Sequence, residues 1–305
     1  MKVFTSNGLL LLAAAIWGLA FVAQRVGMEH VGPFTFNGVR FALGGLSLIP
    51  LILYDQKGSS PKKTVKEMRD VAKAGLLVGA VLFIAATLQQ IGLVYTTAGK
   101  AAFITCLYMV VVPILGIFLK QYVSVSTWLG SAVAVAGLYL LCVKDHFFIS
   151  YGETLELIGT FFWASHILLI DHFSRRVPVL QLAFFQFITC SVLSLVTAIA
   201  LETIRMDSIY QAGIPILYGG VLSVGVAFTL QVIAQKNAQP SHAAIILSME
   251  TVFAAVGGWL ILNESLGSQE VWGCIVMFAG MLLSQLQNLT EKRPQEILEQ
   301  EKKLL

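Results

Sequence analysis

Apolar runs of about 20 residues fill most of this chain, and charged residues, prolines or glycines separate each run from the next. A transmembrane α-helix needs about 20 mainly apolar residues to cross the hydrocarbon core of a bilayer. The pattern therefore predicts an all-α membrane protein with ten transmembrane helices. The predicted spans lie near residues 7–27, 34–54, 71–95, 98–119, 125–144, 153–173, 179–201, 212–235, 240–262 and 269–289.

The first run resembles the apolar core of a signal peptide, because Lys2 precedes the stretch from Leu9 to Ala15. The apolar stretch continues as far as Phe21, which exceeds the length that such a core needs. We therefore expect a retained first helix.

Composition supports a bilayer as the solvent for most of the sequence. Hydrophobic residues make up 57% of the chain and charged residues 12%, whereas soluble domains carry about 25% charged residues. The cysteines form no CxxC pair and lie in apolar runs, so we expect no disulfide framework and no metal site. These cysteines are Cys106, Cys142, Cys190 and Cys274.

The positions of Lys and Arg predict how the chain is oriented. With a cytoplasmic N-terminus, 15 of the 20 Lys and Arg residues fall on the cytoplasmic side, four fall on the opposite side, and Arg40 lies within a span. Cytoplasmic loops carry an excess of Lys and Arg. The sequence therefore predicts a multi-pass protein of the cell membrane with both termini in the cytoplasm.

Four pairs of residues recur in the same order at offsets between 141 and 146, which indicates an internal duplication. Because each half contains five helices, the second half enters the membrane upside down relative to the first. We expect two inverted five-helix repeats, residues 1–147 and 148–290, followed by a cytoplasmic tail at 291–305. The pairs are Trp17 and Trp163, Pro33 and Pro178, Gln90 and Gln231, and Leu129-Gly130 and Trp272-Gly273.

Four stretches carry a family signature: residues 15–21, 33–41, 247–255 and 258–266, which read AIWGLAF, PFTFNGVRF, LSMETVFAA and GWLILNESL. They resemble the EamA branch of the drug/metabolite transporter superfamily. The resemblance implies ten-helix carriers that export or take up amino acids, other metabolites or drugs. It also implies a central cavity between the halves, lined by the first, third, fourth, sixth, eighth and ninth helices.

The fourth and ninth spans carry residues that affect helix bending. Pro113, deep in the fourth span, removes the backbone bond to the carbonyl of Met109 and is a predicted hinge. In the ninth span, Thr251 stands where the family commonly has proline. The expected proline kink is therefore lost there, although Gly257 and Gly258 can still soften the helix.

Glu250 is the strongest candidate for a functional residue. It lies ten residues into the ninth span, about 15 Å deep at the helical rise and close to the bilayer midplane. A carboxylate at this depth is costly unless it is paired, hydrated or protonated. We identify no other carboxylate at such depth, so Glu250 is a candidate proton carrier or partner of a cationic substrate group. The alternative is a structural carboxylic acid bonded to a neighbouring helix.

Arg40 and His166 each allow two interpretations. Arg40 lies about 9 Å into the second span, where it either contacts substrate or serves as a gate or structural charge whose guanidinium reaches outward. His166 shares a helical face with Trp163. A lone histidine is not a metal site, so His166 is either a hydrogen-bonded interior residue or a substrate contact.

Neutral polar residues recur three, four or seven positions apart, which places each pair on one helical face. Interhelical hydrogen bonding explains any one pair, but together they predict a moderately polar, weakly charged cavity. Such a lining suits small amphipathic solutes better than multiply charged phosphates. With Glu250 and His166, the predicted substrate-binding residues are Trp17, Gln24, Thr87, Gln90, Thr105, Tyr108, Trp163 and Gln231.

These features together favour a secondary transporter that moves a small metabolite by alternating access, with proton coupling as an option. A membrane enzyme is the main rival, but the chain has no HExxH, GxSxG or Walker motif and no paired intramembrane aspartates. A receptor or scaffold is the third possibility. We expect a small-molecule substrate and the lipid bilayer as partners, no cofactor and no nucleic acid, and the oligomeric state stays open.

Overall fold

A computed structural model of the protein describes residues 3–58, 65–96, 98–121, 123–142, 150–261 and 267–290, and these residues are almost entirely helical. Lys2 and the predicted tail at 291–305 lie outside them. The helices are α1 (Val3–Gly27), α2 (Pro33–Gly58), α3 (Val65–Tyr95), α4 (Ala98–Cys106), α5 (Tyr108–Phe118), α6 (Val125–Cys142), α7 (Tyr151–Ser174), α8 (Val179–Leu201), α9 (Met206–Gln211), α10 (Gly213–Leu217), the π-helix π1 (Tyr218–Phe228), α11 (Thr229–Gln235), α12 (Pro240–Leu247), α13 (Glu250–Ile261) and α14 (Ser268–Thr290).

Eight of the predicted spans are long and apolar enough to cross a membrane. The other two, the fifth and the tenth, contain shorter apolar helices, Val125–Leu140 and Val271–Ser284. The all-helical prediction is confirmed over the described residues, because no strand occurs in them. Ten crossings stay a prediction.

Two spans are interrupted near their middle. The fourth consists of α4 and α5, which meet at Leu107, and the ninth consists of α12 and α13, which meet at Ser248 and Met249. Pro113 lies inside α5, six residues beyond the interruption, so this proline does not mark where the fourth span breaks. Its role as a hinge stays a prediction.

The ninth span breaks at Ser248 and Met249 although Thr251 stands where the family commonly has proline, so this break has a cause other than a proline. The Ser248 hydroxyl donates to the carbonyl of Ile245 at 2.7 Å, and the Thr251 N–H donates to the carbonyl of Ser248 at 3.1 Å. Both bonds connect residues three apart, which is tighter than the α-helical spacing of four. A serine hydroxyl that bonds to a carbonyl oxygen of the preceding turn often bends a helix.

Polar contacts between helix ends define two ends of the bundle. At the first end, the Arg25 guanidinium donates to the carbonyls of Leu93 and Thr96 at 2.8 and 2.9 Å, and Lys100 pairs with Glu153 at 3.1 Å. At the second end, Thr127 and His242 are hydrogen-bonded at 2.8 Å. Of the helices in these contacts, α1, α3, α4, α7 and α12 contribute to the central cavity described below, and α6 does not.

The packing partners of the helices form matching sets. The first span, α1, packs against π1 and α13, while the sixth span, α7, packs against α3, α4 and α5. The second and seventh spans, α2 and α8, pack against each other, and so do the fifth and tenth, α6 and α14. Close approach of α6 and α14 requires small residues, because a Cβ atom at Gly280 would lie 2.6 Å from the backbone nitrogen of Ala134.

Glu202 caps the N-terminus of α2 from the end of a different helix. Its carboxylate accepts hydrogen bonds from the N–H groups of Phe34 and Thr35 at 2.9 and 2.8 Å, and from the Thr35 hydroxyl at 2.6 Å. These N–H groups have no partner within their own helix. The negative charge also interacts favourably with the positive end of the helix dipole.

We expect Glu202→Gln to lower the free energy of unfolding by about 1 to 2 kcal/mol, since a charged cap is replaced by a neutral one. The measurement is the midpoint of thermal unfolding in detergent micelles. Glu29→Gln, at an exposed residue in the turn after α1, is the matched control and should leave the midpoint unchanged. Equal midpoints for both variants would contradict the capping role.

Candidate functional site

A cavity lies where α1, α7, π1 and the two interrupted spans meet, with α2, α3 and α11 each contributing one residue. Its lining is mainly aromatic and amide-bearing, with one guanidinium and one carboxyl group. Residues from both predicted halves of the chain contribute to it. The lining residues are Trp17, Ala20, Phe21, Gln24, Arg40, Gln89, Thr105, Tyr108, Trp163, Ile167, Ser223, Phe228, Gln231, Leu247 and Glu250.

The two interruptions bring Glu250 and Tyr108 together. Glu250 is the first residue of α13 and Tyr108 is the first residue of α5. The Tyr108 hydroxyl donates to Oε1 of Glu250 at 3.0 Å, and the carboxyl group is 5% exposed. Cys106, the last residue of α4, contacts Oγ1 of Thr251 at 2.7 Å. The carboxyl group of Glu250 is therefore held at the junction of both broken helices.

Aromatic rings form one wall of the cavity. Phe228, the last residue of π1, lies 4.6 Å from the ring of Trp17 and stacks on Trp163 at 6.0 Å with an interplanar angle of 20°. The Trp17 indole N–H donates to the carbonyl of Ser223 at 3.2 Å, which ties α1 to π1. Single-turn π-bulges inside helices are frequent at functional sites, and π1 contributes Ser223 and Phe228 to this cavity.

Arg40 faces the cavity from α2 and is 3% exposed. Its guanidinium carbon lies 5.4 Å from the ring centroid of Phe36 and 5.1 Å from that of Phe41. The interpretation in which this side chain reaches outward to the membrane surface is therefore wrong. The guanidinium is enclosed by protein.

Most of the predicted substrate-binding residues lie together at this cavity. The residues that line it are Trp17, Gln24, Thr105, Tyr108, Trp163, Gln231 and Glu250. Thr87, Gln90 and His166 are not among the lining residues. These three lie on helix faces that sequence spacing could not assign.

His166 is bonded to α8 and packs edge-on behind the cavity residues Trp163 and Phe228. Its Nε2 lies 2.9 Å from Oε1 of Gln186, and its side chain is fully buried. This is the hydrogen-bonded interior histidine that was the alternative to a substrate contact. No group of three or more His, Cys, Asp or Glu side chains is arranged to hold a metal within the part of the chain that the structure describes.

On α3, the cavity residue is Gln89 and not Gln90. Adjacent helical residues point about 100° apart, so a shift of one position changes which neighbour a side chain meets. Gln90 is fully buried outside the cavity lining, whereas Gln89 lines the cavity and donates to the Thr105 hydroxyl at 3.3 Å. Thr87 shares the face of Gln90.

A second buried carboxyl group, Glu156, was missed in the sequence. It is fully buried, and its Oε2 accepts a hydrogen bond from the Thr105 hydroxyl at 3.0 Å. Glu156 lies only five residues beyond the start of α7, so its depth in the span gave no signal. The expectation concerned carboxylates deep in a span and stays a prediction, since Glu156 lies near a helix end; Glu250 is the carboxyl group that lines the cavity.

Comparison with known proteins identifies the family. The model of the EamA-like transporter family matches twice, over residues 5–143 and 150–286. An uncharacterized transporter of Archaeoglobus fulgidus is 31% identical over 283 residues, covering 91% of this chain and 84% of that protein. The uncharacterized transporter YoaV of Bacillus subtilis is 22% identical, with 88% and 92% covered.

More distant similarity extends to plants and to a solved structure. A WAT1-related protein of Arabidopsis thaliana is 22% identical, covering 88% of this chain and 78% of that protein. A crystal structure of another protein shares the fold with a TM-score of 0.77 at 17% identity, covering 94% of this chain and 99% of the other. Since the family model matches nearly the whole chain in two copies, this protein belongs to the EamA-like transporter family and is a multi-pass membrane transporter.

Proposed function

We propose that this protein is a secondary transporter that moves a small metabolite across the cell membrane by alternating access around the central cavity. The observation that carries the proposal is the cavity itself, which combines residues from both halves of the chain with a carboxyl group at the junction of two interrupted helices. A site shared between two units changes its access when one unit moves against the other.

Inverted repeats supply the two units in this proposal. The double match to one family model supports a division near residue 147. The matching packing sets support it too, since the contacts of α1 with π1 and α13 correspond to those of α7 with α3 and α4. The first span ends at the bundle end that holds Arg25, whereas the sixth begins there with Glu153. The two spans thus run in opposite directions, as an inverted repeat requires.

The interrupted spans are the moving parts in this proposal. A break in a transmembrane helix is tolerated where neighbouring groups satisfy the freed backbone or where the break lines a cavity. Both breaks lie beside the Tyr108–Glu250 hydrogen bond. Rearrangement at these breaks would alter the cavity without unfolding either span. Pro113, one turn and a half beyond the first break, is a secondary hinge in the same proposal.

Glu250 is the proposed coupling group. It is buried, it touches the cavity, and its hydrogen-bond donor Tyr108 can serve the ionised and the neutral carboxyl group alike. A proton that binds there in one conformation and leaves in the other would couple transport to the proton gradient. The excess of Lys and Arg on one side supports cytoplasmic termini.

Transport by purified protein in vesicles tests the proposal. We would load vesicles with a labelled metabolite mixture and compare the efflux with that from protein-free vesicles. For any metabolite that moves, alternating access predicts saturable flux and faster efflux of label when unlabelled metabolite is added outside. Flux that never saturates and shows no such exchange would indicate a channel.

The response to a pH gradient tests proton coupling separately. With a coupled carrier, an imposed pH difference should drive the metabolite against its own gradient, because proton and solute movements are linked. Collapse of the pH difference with a protonophore should abolish the accumulation. Flux that is insensitive to the pH difference would contradict proton coupling and leave exchange or facilitated diffusion.

A further inference from the structure

Arg40 is a buried cation without a polar partner in the described parts of the chain. Its Nε is buried, and the Nε–H group donates to no hydrogen-bond acceptor there. The ion pairs of Lys100 with Glu153 and of Arg175 with Asp171 do not involve Arg40. The Glu250 carboxyl group, which shares the cavity, is hydrogen-bonded to Tyr108.

The rings of Phe36 and Phe41 compensate the charge only in part. A cation over an aromatic ring is stabilised by the electrons of the ring face. The cost of burying an ion exceeds this stabilisation and is offset only when the charge is paired and hydrogen-bonded. A structural guanidinium in a membrane protein would be expected to pair with a carboxylate or with backbone carbonyls. The described neighbours of Arg40 supply neither.

The packing of α2 against π1 places the Arg40 side chain beside the cavity. A Cβ atom at Gly220 would lie 2.7 Å from Cβ of Leu43 and 3.1 Å from the Arg40 carbonyl oxygen, so glycine at that position allows the two helices to approach closely. Next to it, a Cβ atom at Gly219 would lie 3.4 Å from Cδ of Arg40. The arginine stem therefore runs along Gly219 of π1, and the residue is part of the cavity lining.

We propose that Arg40 binds the carboxylate of the transported solute. The substrates would then be organic anions that carry one carboxylate on a flat apolar body. This inference rests on the transport function proposed above. A guanidinium matches a carboxylate through two parallel N–H···O bonds. One arginine matches one carboxylate, while the rings of Trp17, Trp163 and Phe228 provide an apolar surface for the remainder of the solute.

Binding of three matched probes to the purified protein in detergent tests this assignment. Phenylacetate carries a carboxylate, phenylacetamide is its neutral analogue, and phenethylamine is a cation of similar size. Titration calorimetry gives the Kd, and quenching of tryptophan fluorescence gives an independent reading. We expect phenylacetate to bind at least about tenfold more tightly than either other probe, since a charge-assisted bidentate pair is lost with them.

Variants at Arg40 connect that preference to this residue. Arg40→Met keeps much of the apolar stem and should abolish the preference for phenylacetate over phenylacetamide, with phenylacetamide binding unchanged. Arg40→Lys keeps the charge without the planar fork and should retain part of the preference. Arg205→Met, at an exposed residue before α9, is the matched control and should bind like the wild type. Melting temperatures close to that of the wild type show that the variants are folded.

The results separate this inference from the proposed transport function. Equal binding of the three probes, absence of phenylacetate binding, or an unchanged preference in Arg40→Met would overturn the carboxylate assignment. Phenylacetate binding that depends on Arg40 in a protein without flux in vesicles would retain the assignment and refute transport. Saturable flux of solutes whose transport does not need Arg40 would retain the transport function and refute the carboxylate assignment.

Discussion

Glu250→Gln is expected to abolish transport driven by a pH gradient while the protein stays folded. The amide is nearly the same size as the carboxyl group and still accepts the hydrogen bond that Tyr108 donates at 3.0 Å. What the substitution removes is the ability to bind and release a proton. We expect accumulation against a solute gradient in vesicles to fall by about tenfold or more.

The control for this variant is Glu29→Gln, which changes an exposed carboxylate outside the cavity and should transport like the wild type. Tyr108→Phe is a second comparison, since it keeps the Glu250 carboxyl group but removes its donor, and it should reduce flux without removing the response to pH. Wild-type accumulation by Glu250→Gln would eliminate Glu250 as the coupling group. Proton coupling would then depend on a different group.

Gly18→Ala is expected to have the second large effect, because Gly18 sets how closely α1 approaches α13. A Cβ atom at this position would lie 2.6 Å from the carbonyl oxygen of Glu250 and 2.7 Å from the backbone nitrogen of Ala254. Backbone atoms cannot turn aside as a flexible side chain can, so the helices must separate. Separation would shift the carboxyl-bearing start of α13, and we expect loss of most of the flux.

Gly8→Ala on the same helix is the matched control, since nothing lies within 4 Å of a Cβ atom built there. Both substitutions gain about 0.5 to 1 kcal/mol of helix stability through the preference of alanine over glycine. Overpacking at Gly18 costs about 1 to 3 kcal/mol, which exceeds that gain. The thermal midpoints in detergent should therefore move in opposite directions, up for Gly8→Ala and down for Gly18→Ala. Equal shifts would refute the role of Gly18 in helix contact.

The extent of the helices could be predicted from the sequence. Apolar runs at 98–119 and 179–201 correspond to Ala98–Phe118 and Val179–Leu201 in the structure. Candidate functional residues could be predicted where a single residue differs clearly from its apolar neighbours or recurs in both halves. Glu250 met that criterion by its depth, and Trp17 and Trp163 met it by matching between the halves. All three line the cavity.

The faces of the helices were harder to predict. Thr87, Gln90 and His166 have spacings much like those of the residues that line the cavity, yet they do not line it. Lipid chains are as apolar as the protein interior, so a membrane helix does not need an apolar stripe to mark its buried side. Polar spacing therefore shows that two residues share a face, but it does not show what that face contacts.

The sequence alone determined that the bilayer is the solvent, where the helices run and that a carboxyl group lies deep in the ninth span, because transfer into lipid depends on the composition of each run of residues. Only the tertiary structure decided the breaks at Leu107 and Ser248, the π-helix at 218–228 and the setting of Arg40. These features depend on contacts between residues that are far apart in the chain, such as the one between Tyr108 and Glu250.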